Sequence, residues 1–185
     1  DGLADIVQYL REIPADFEGA IRPDHFRGVS TVVAALLNIV QPDFAFFGQK
    51  DAQQTAVIRR LTRDLGFDTE IVVLPTVREE SGLAMSSRNA RLSEEEKQSA
   101  SIIYQALKKA KIAFREGERN AARLEQIVRE KIQTEPLADI DYVAVVDNDT
   151  LEPIERVDDN SALIAVAVRF GSTRLIDNAV LNRKQ

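Results

Sequence analysis

Apolar and polar positions alternate with two different rhythms along this chain, and the change of rhythm divides it in two. Residues 1 to 23 carry a mixed stretch from Leu3 to Leu10 and then Pro14, Gly19 and Pro23, which reads as a strand or short helix followed by a loop. After Pro23 the pattern sharpens. Val29, Val32, Val33, Leu36, Leu37 and Val40 recur at helical spacing and Pro42 marks a stop, which predicts a helix with one buried face. Phe44-Ala45-Phe46-Phe47 is too short for a helix and ends at Gly48, as a buried strand of a parallel sheet would. A second helix is predicted from about Asp51 to Leu65, with Val57, Leu61 and Leu65 on one face and Gly66 just past its end. Ile71 to Leu74 reads as the next buried strand, closed by Pro75. Helix, strand, helix, strand is the rhythm of an α/β sheet with crossover helices, so the first half reads as part of a doubly wound sheet.

Beyond Arg88 the grammar changes. Ser93 followed by Glu96 forms a capping box ahead of one long predicted helix with Ile103, Ala106, Leu107, Ala110 and Phe114 on a stripe, ended by Gly117. A further helix, capped near Asn120, turns Leu124, Ile127 and Val128 inward until Pro136. Strands follow at Ile140 to Val146, Leu163 to Val168 and near Thr173 to Ile176, and their alternation predicts a small antiparallel sheet. The expected organisation is an α/β part over residues 1–76 and an α+β domain over residues 77–185.

Composition narrows the chemistry. A formal net charge of -6 argues against a nucleic-acid partner, because neutralising a phosphate backbone requires a basic surface, although one or two placed cations suffice for a small phosphorylated ligand. With no cysteine and a single histidine, thiolate sites, disulfides and histidine clusters drop out together. The absence of thiols fits a reducing compartment, and the expected location is cytoplasmic. The longest apolar runs, Val32 to Leu37 and Ala162 to Val168, fall far short of the roughly 20 residues of a membrane span, so no membrane partner is expected. The chain starts Asp1-Gly2-Leu3, with no initiator Met and no signal-like core, and is therefore expected to begin inside a longer product.

Two stretches can carry chemistry. Gly48-Gln49-Lys50-Asp51 stands between a predicted strand and a helix start, where unpaired N–H groups and a positive dipole end suit a phosphate. Lys50 adds a mobile cation, and Asp51 either caps the helix or holds a ligand group; the same tetrapeptide also serves as a routine turn. Gln53 and Gln54 follow on the first helical turn, where an amide can bridge a hydroxyl and a carboxylate. Gly82-Leu83-Ala84-Met85-Ser86-Ser87-Arg88-Asn89 is the second stretch: two hydroxyls and a guanidinium make an oxyanion clamp, or else an exposed linker. In Arg22-Pro23-Asp24-His25-Phe26 the lone histidine reads as structural more readily than as an acid or base. Near the end, Asp177 is expected to pair with Arg174 or with backbone donors as part of the fold.

Taken in order, RPDHFRGV at 22 to 29, FFGQKDAQQ at 46 to 54, PTVRE at 75 to 79, GLAMSSRN at 82 to 89 and GSTRLIDN at 171 to 178 resemble the pantothenate synthetases from about residue 17 to 178. That resemblance implies the second half of a Rossmann-like nucleotidyltransferase sheet followed by a small C-terminal lid domain. It implies an enzyme that joins pantoate to β-alanine with Mg2+ and ATP through a pantoyl adenylate, as a homodimer. By the same resemblance Gly48, Gln49, Lys50 and Asp51 line the ATP site, Val77 touches the adenine, Gln54 binds pantoate, and Met85, Ser86, Ser87 and Arg88 grip phosphate. The catalytic set so implied is Lys50, Ser86, Ser87 and Arg88.

Three departures stand out. Gln49 replaces the family's usual Glu, and Ala52 stands where an aromatic residue is usual. The His-x-Gly-His motif of the family has no counterpart, since the only histidine is His25, and no metal-binding acids are assigned within these residues. An upstream segment on the order of 100 residues, about half a doubly wound domain, is the expectation, and the 185 residues alone are expected to be inactive. The competing readings are a non-catalytic remnant that binds a nucleotide or a partner, and an aminoacyl-tRNA-synthetase-like enzyme, the latter disfavoured by the acidic chain.

Overall fold

The computed structural model describes residues 25–158 and 161–182. The expectations for residues 1–23, for Arg22 to Asp24 and for the His25 side chain lie outside the described residues. The chain falls into two compact units, divided between Pro75 and Thr76.

In the first unit α1 (His25–Val40) packs on α2 (Ala52–Asp64), and α2 lies on β1 (Phe44–Gly48) and β2 (Glu70–Leu74). The two strands are parallel, in a register that runs from Phe44 opposite Glu70 to Gly48 opposite Leu74. Helix α2 is the best-buried element, with Thr55, Ala56, Val57, Ile58, Leu61 and Thr62 inside. Its end is set by Gly66 at φ +65, where the N–H groups of Gly66 and Phe67 donate to the carbonyls of Arg63 and Thr62, the paired closure that a left-handed residue permits. Leu65, expected on the buried face, is the C-cap and is exposed.

Two expectations about burial are corrected in this unit. Helix α1 buries Phe26, Ser30 and Leu37, while Val32, Leu36 and Val40 are exposed and Ile39 is 80% exposed. The helix is apolar on more than one side, and a periodicity count cannot tell which side faces the neighbouring helix. Strand β1 is likewise not buried throughout: Phe44 and Phe46 lie on one face with Phe46 62% exposed, and Leu74 at the end of β2 is exposed too. Alternate residues of a strand point to opposite faces, and among the described residues only one face of this two-stranded sheet is covered.

The second unit opens with a tight antiparallel turn. The N–H of Met85 donates to the Val77 carbonyl at 2.9 Å, the N–H of Glu79 to the Leu83 carbonyl at 2.8 Å, and Arg78 bridges Ala84. A 3-10 turn follows at Ser87–Arg91. The predicted long helix is two helices, α3 (Glu94–Ala100) and α4 (Ile102–Arg115). At Ser101 the backbone N–H donates three residues back, to Gln98, a 3-10 step that no Gly or Pro announces. The Ser93–Glu96 capping box is formed as expected, and the Asn120 side chain accepts from the Arg123 N–H to start α5 (Ala121–Ile132).

Strands β3 (Ala138–Asp147), β4 (Ala162–Phe170) and β5 (Thr173–Leu181) make an antiparallel sheet in chain order, each longer than the alternation predicted. Ile103, Leu107 and Phe114 of α4 and Leu124, Val128 and Ile132 of α5 meet Val143, Val145, Ile164, Val166, Val168, Phe170 and Leu181 from the sheet in one core. The register slips between Ile140 and Tyr142, leaving Asp141 at a bulge, where its carboxylate takes the Nε–H donors of Arg169 and Arg174. Burial works against charge on Asp141, but the two arginine hydrogen bonds and their charges outweigh it and hold the carboxyl below its ordinary value.

Candidate functional site

In the first unit, Gly48 is the last residue of β1, Gln49–Asp51 form a single 3-10 turn, and α2 begins at Ala52. This is the carboxyl end of a parallel strand pair, the edge at which open α/β sheets bind ligands. Gly48 has φ -80 and ψ 134, ordinary extended backbone, and a Cβ built there meets nothing within 4 Å. Among the described residues nothing in the packing calls for glycine, and the open space leaves its backbone approachable. Gln49 and Lys50 are half-buried beside it and Asp51 is exposed. Asp51 occupies the cap position of α2 without a capping bond from its side chain; its carbonyl instead accepts from the Thr55 hydroxyl. Gln53 and Gln54 sit half-buried on the first turn of α2.

In the second unit the stretch from Val77 to Asn89 is a braced loop. Val77 and Met85, joined across the antiparallel turn, are both exposed and present an apolar pair. Ser86 caps the 3-10 turn, its hydroxyl oxygen accepting from the Arg88 N–H at 3.2 Å, which leaves its own proton to donate. Ser87 is exposed, and Arg88 reaches the Arg174 carbonyl through one long 3.4 Å bond that leaves the rest of its fork of donors uncommitted to that partner. Asn89 is buried and donates to Glu79 at 2.8 Å and to the Ala84 carbonyl at 3.2 Å. Hydrogen bonds from Asn89 and then from Lys97 hold the Glu79 carboxyl below its ordinary value.

Sequence reasoning named Asp177 but not its pairing with Arg78, nor the Tyr104 ring beneath it. Arg78 grips both carboxylate oxygens of Asp177, at 2.6 and 3.0 Å, and lies over the Tyr104 ring at 4.1 Å. Asp177 was expected to pair with Arg174 or backbone donors; it does accept the Asn178 N–H, but its side-chain partner is Arg78, while Arg174 turns to Asp141. Asp177 faces the core side of β5, opposite Val166, and only a buried counter-charge compensates a carboxylate in that position. Among the described residues no group of three or more His, Asp or Glu side chains forms a metal-ion cradle, and no helix is long and apolar enough to cross a membrane.

Comparison with known proteins covers both units together. The profile of the Pantoate-beta-alanine ligase family matches residues 5–180. The pantothenate synthetase of Pelotomaculum thermopropionicum is 54% identical over 165 residues, which is 89% of this chain and 58% of that protein. That of Heliobacterium modesticaldum is 56% identical over 88% of this chain and 58% of its own length. The crystal structure of pantothenate synthetase from Thermus thermophilus superposes with a TM-score of 0.84 at 44% identity, covering 92% of this chain and 61% of that one. The pantoate-beta-alanine ligase of Francisella tularensis, complexed with Beta-gamma ATP and β-alanine, gives a TM-score of 0.64 at 32% identity, over 91% of this chain and 55% of that one. The chain thus spans about 58% of the length of the curated relatives it matches. Sequence, fold and relatives agree on one assignment: this chain belongs to the pantoate–β-alanine ligase family.

Proposed function

We propose that the protein takes part in the ATP-dependent joining of (R)-pantoate to β-alanine. In this reaction a pantoate carboxylate oxygen attacks the α-phosphorus of ATP and pyrophosphate leaves. The β-alanine amine then attacks the acyl carbonyl of the pantoyl adenylate and AMP leaves. The observation that carries the reading is the junction at Gly48, where a parallel strand hands over to a helix through Gln49-Lys50-Asp51 with open space on the glycine. There Lys50 places a cation on the phosphates, Gly48, Gln49 and Asp51 line the nucleotide, and Gln54 on the adjoining turn binds pantoate. In the second unit the exposed Val77 and Met85 offer the apolar contact an adenine ring takes, and Ser86, Ser87 and Arg88 stabilise phosphate charge as pyrophosphate departs.

Magnesium enters with the nucleotide as part of the substrate. The family resemblance supports a cytoplasmic homodimer with small-molecule partners, and the acidic composition supports the absence of a nucleic-acid partner.

The test is pantoate-dependent exchange of pyrophosphate into ATP by the protein expressed from its complete coding sequence, followed by pantothenate formation on adding β-alanine. Exchange that ignores pantoate, or none at all, overturns the reading. A second reading has its own observation: no His-x-Gly-His occurs in the 185 residues. On that ground we expect this stretch expressed alone to bind nucleotide at most, and pantoate-dependent exchange by it alone removes that expectation.

A further inference from the structure

The geometry points to Arg78 as a positioning residue for adenylation, acting through the loop from Gly82 to Arg88; this rests on the ligase reading above. Its guanidinium is engaged on one edge, at a further Nη1 proton and on one face. One edge takes both oxygens of Asp177, whose side chain is only 3% exposed; the second Nη1 proton goes to the Gly82 carbonyl at 3.1 Å; and one face lies on the Tyr104 ring. The turn is pressed against that ring: Gly82 has φ +89, and a Cβ there would stand 2.3 Å from Tyr104 Cδ1. Ser86 is four residues further on, and Arg88 touches the carbonyl of Arg174, so the loop is tied to β5 at residues 174 and 177. An exposed linker needs no such buried ion pair, because a charge at this depth is costly unless paired. A loop that must hold two hydroxyls and a guanidinium against developing charge does need a fixed base.

Lysine at 78 keeps the charge facing Asp177 but cannot form a planar fork, reach Gly82 as well and lie on the ring. In the protein from the complete coding sequence, Arg78→Lys is expected to lower kcat of pantoate-dependent exchange about 10- to 100-fold, the scale of a roughly 1 Å misplacement. KM for ATP and pantoate should stay within about 3-fold, and amide exchange should quicken at residues 82–88. Tyr104→Leu, which keeps the ion pair and removes the platform, should act in the same direction by about 3- to 10-fold. Unchanged kcat in both variants, or a loss that disappears once the folded fraction is corrected by thermal melting, overturns the proposal while the ligase reading stands. Absence of pantoate-dependent exchange in the unmutated protein overturns the ligase reading itself, and the positioning role of Arg78 with it.

Discussion

Gly48 separates what the fold needs from what a ligand needs. Its backbone angles suit any residue and the space over it is open, so Gly48→Ala should raise stability by about 0.4–1 kcal/mol, because alanine narrows the unfolded ensemble. If a nucleotide lies against that backbone, the same methyl should lower pantoate-dependent exchange about 10-fold or more, at a cost of ~1.4 kcal/mol in the bound state. Thermal melting together with exchange kinetics checks both halves; a variant that exchanges at the unmutated rate removes Gly48 from the site. Residues of this kind were proposed from the sequence because the blocks around Gly48 and Ser86 are contiguous. The Arg78–Asp177 pair was not, since its members stand 99 positions apart and a single sequence carries no record of their meeting. One signal was available: Asp177 falls in phase with Leu175 and Leu181 on the core face of β5, and a carboxylate in an apolar phase asks for a partner.

At the scale of elements, the stops and starts were read correctly because they are local chemistry. Gly66, Gly117, Asn120 and the Ser93–Glu96 box each act within a few residues of where they stand. The break at Ser101 and the exposed side of α1 were missed because tertiary packing, not local sequence, decides them. The bulge at Asp141 is another such feature, and it makes the second unit sensitive to acid. A carboxyl whose folded value lies below its unfolded value stabilises the fold fully above the unfolded value, about 3.9, and loses that contribution as the pH falls through the folded value. Asp141→Asn should therefore lower the melting temperature near neutral pH and flatten its decline below about pH 4. An acid limb as steep as in the unmutated protein would show that the arginine clasp contributes nothing.

For the whole molecule, the antiparallel sheet with its two long helices followed from pattern alone, whereas the burial of the parallel pair did not. The apolar residues of the pair and of α1 were assigned to buried faces, yet among the described residues Val32, Leu36, Phe44 and Phe46 are exposed. The family resemblance leads to an expected homodimer: light scattering on the protein from its complete coding sequence should return twice the chain mass, and a monomer at working concentration contradicts it.

The stack of Arg78 on Tyr104 also makes this stretch of chain its own optical reporter. The chain has no tryptophan and three tyrosines, of which Tyr104 lies under the loop brace, Tyr142 lies in the antiparallel sheet and Tyr9 falls outside the described residues. Within these 185 residues, ultraviolet emission near 300 nm, roughly the range of tyrosine, therefore arises from three rings, and one of them is in contact with the segment assigned to phosphate. Adding ATP should change that emission, and the change should vanish in both Tyr104→Phe and Tyr104→Leu, since either removes the emitting phenol; a change that survives in both variants assigns it to another tyrosine. A binding experiment on these 185 residues then needs no label, because a native chromophore already stands where the loop is held.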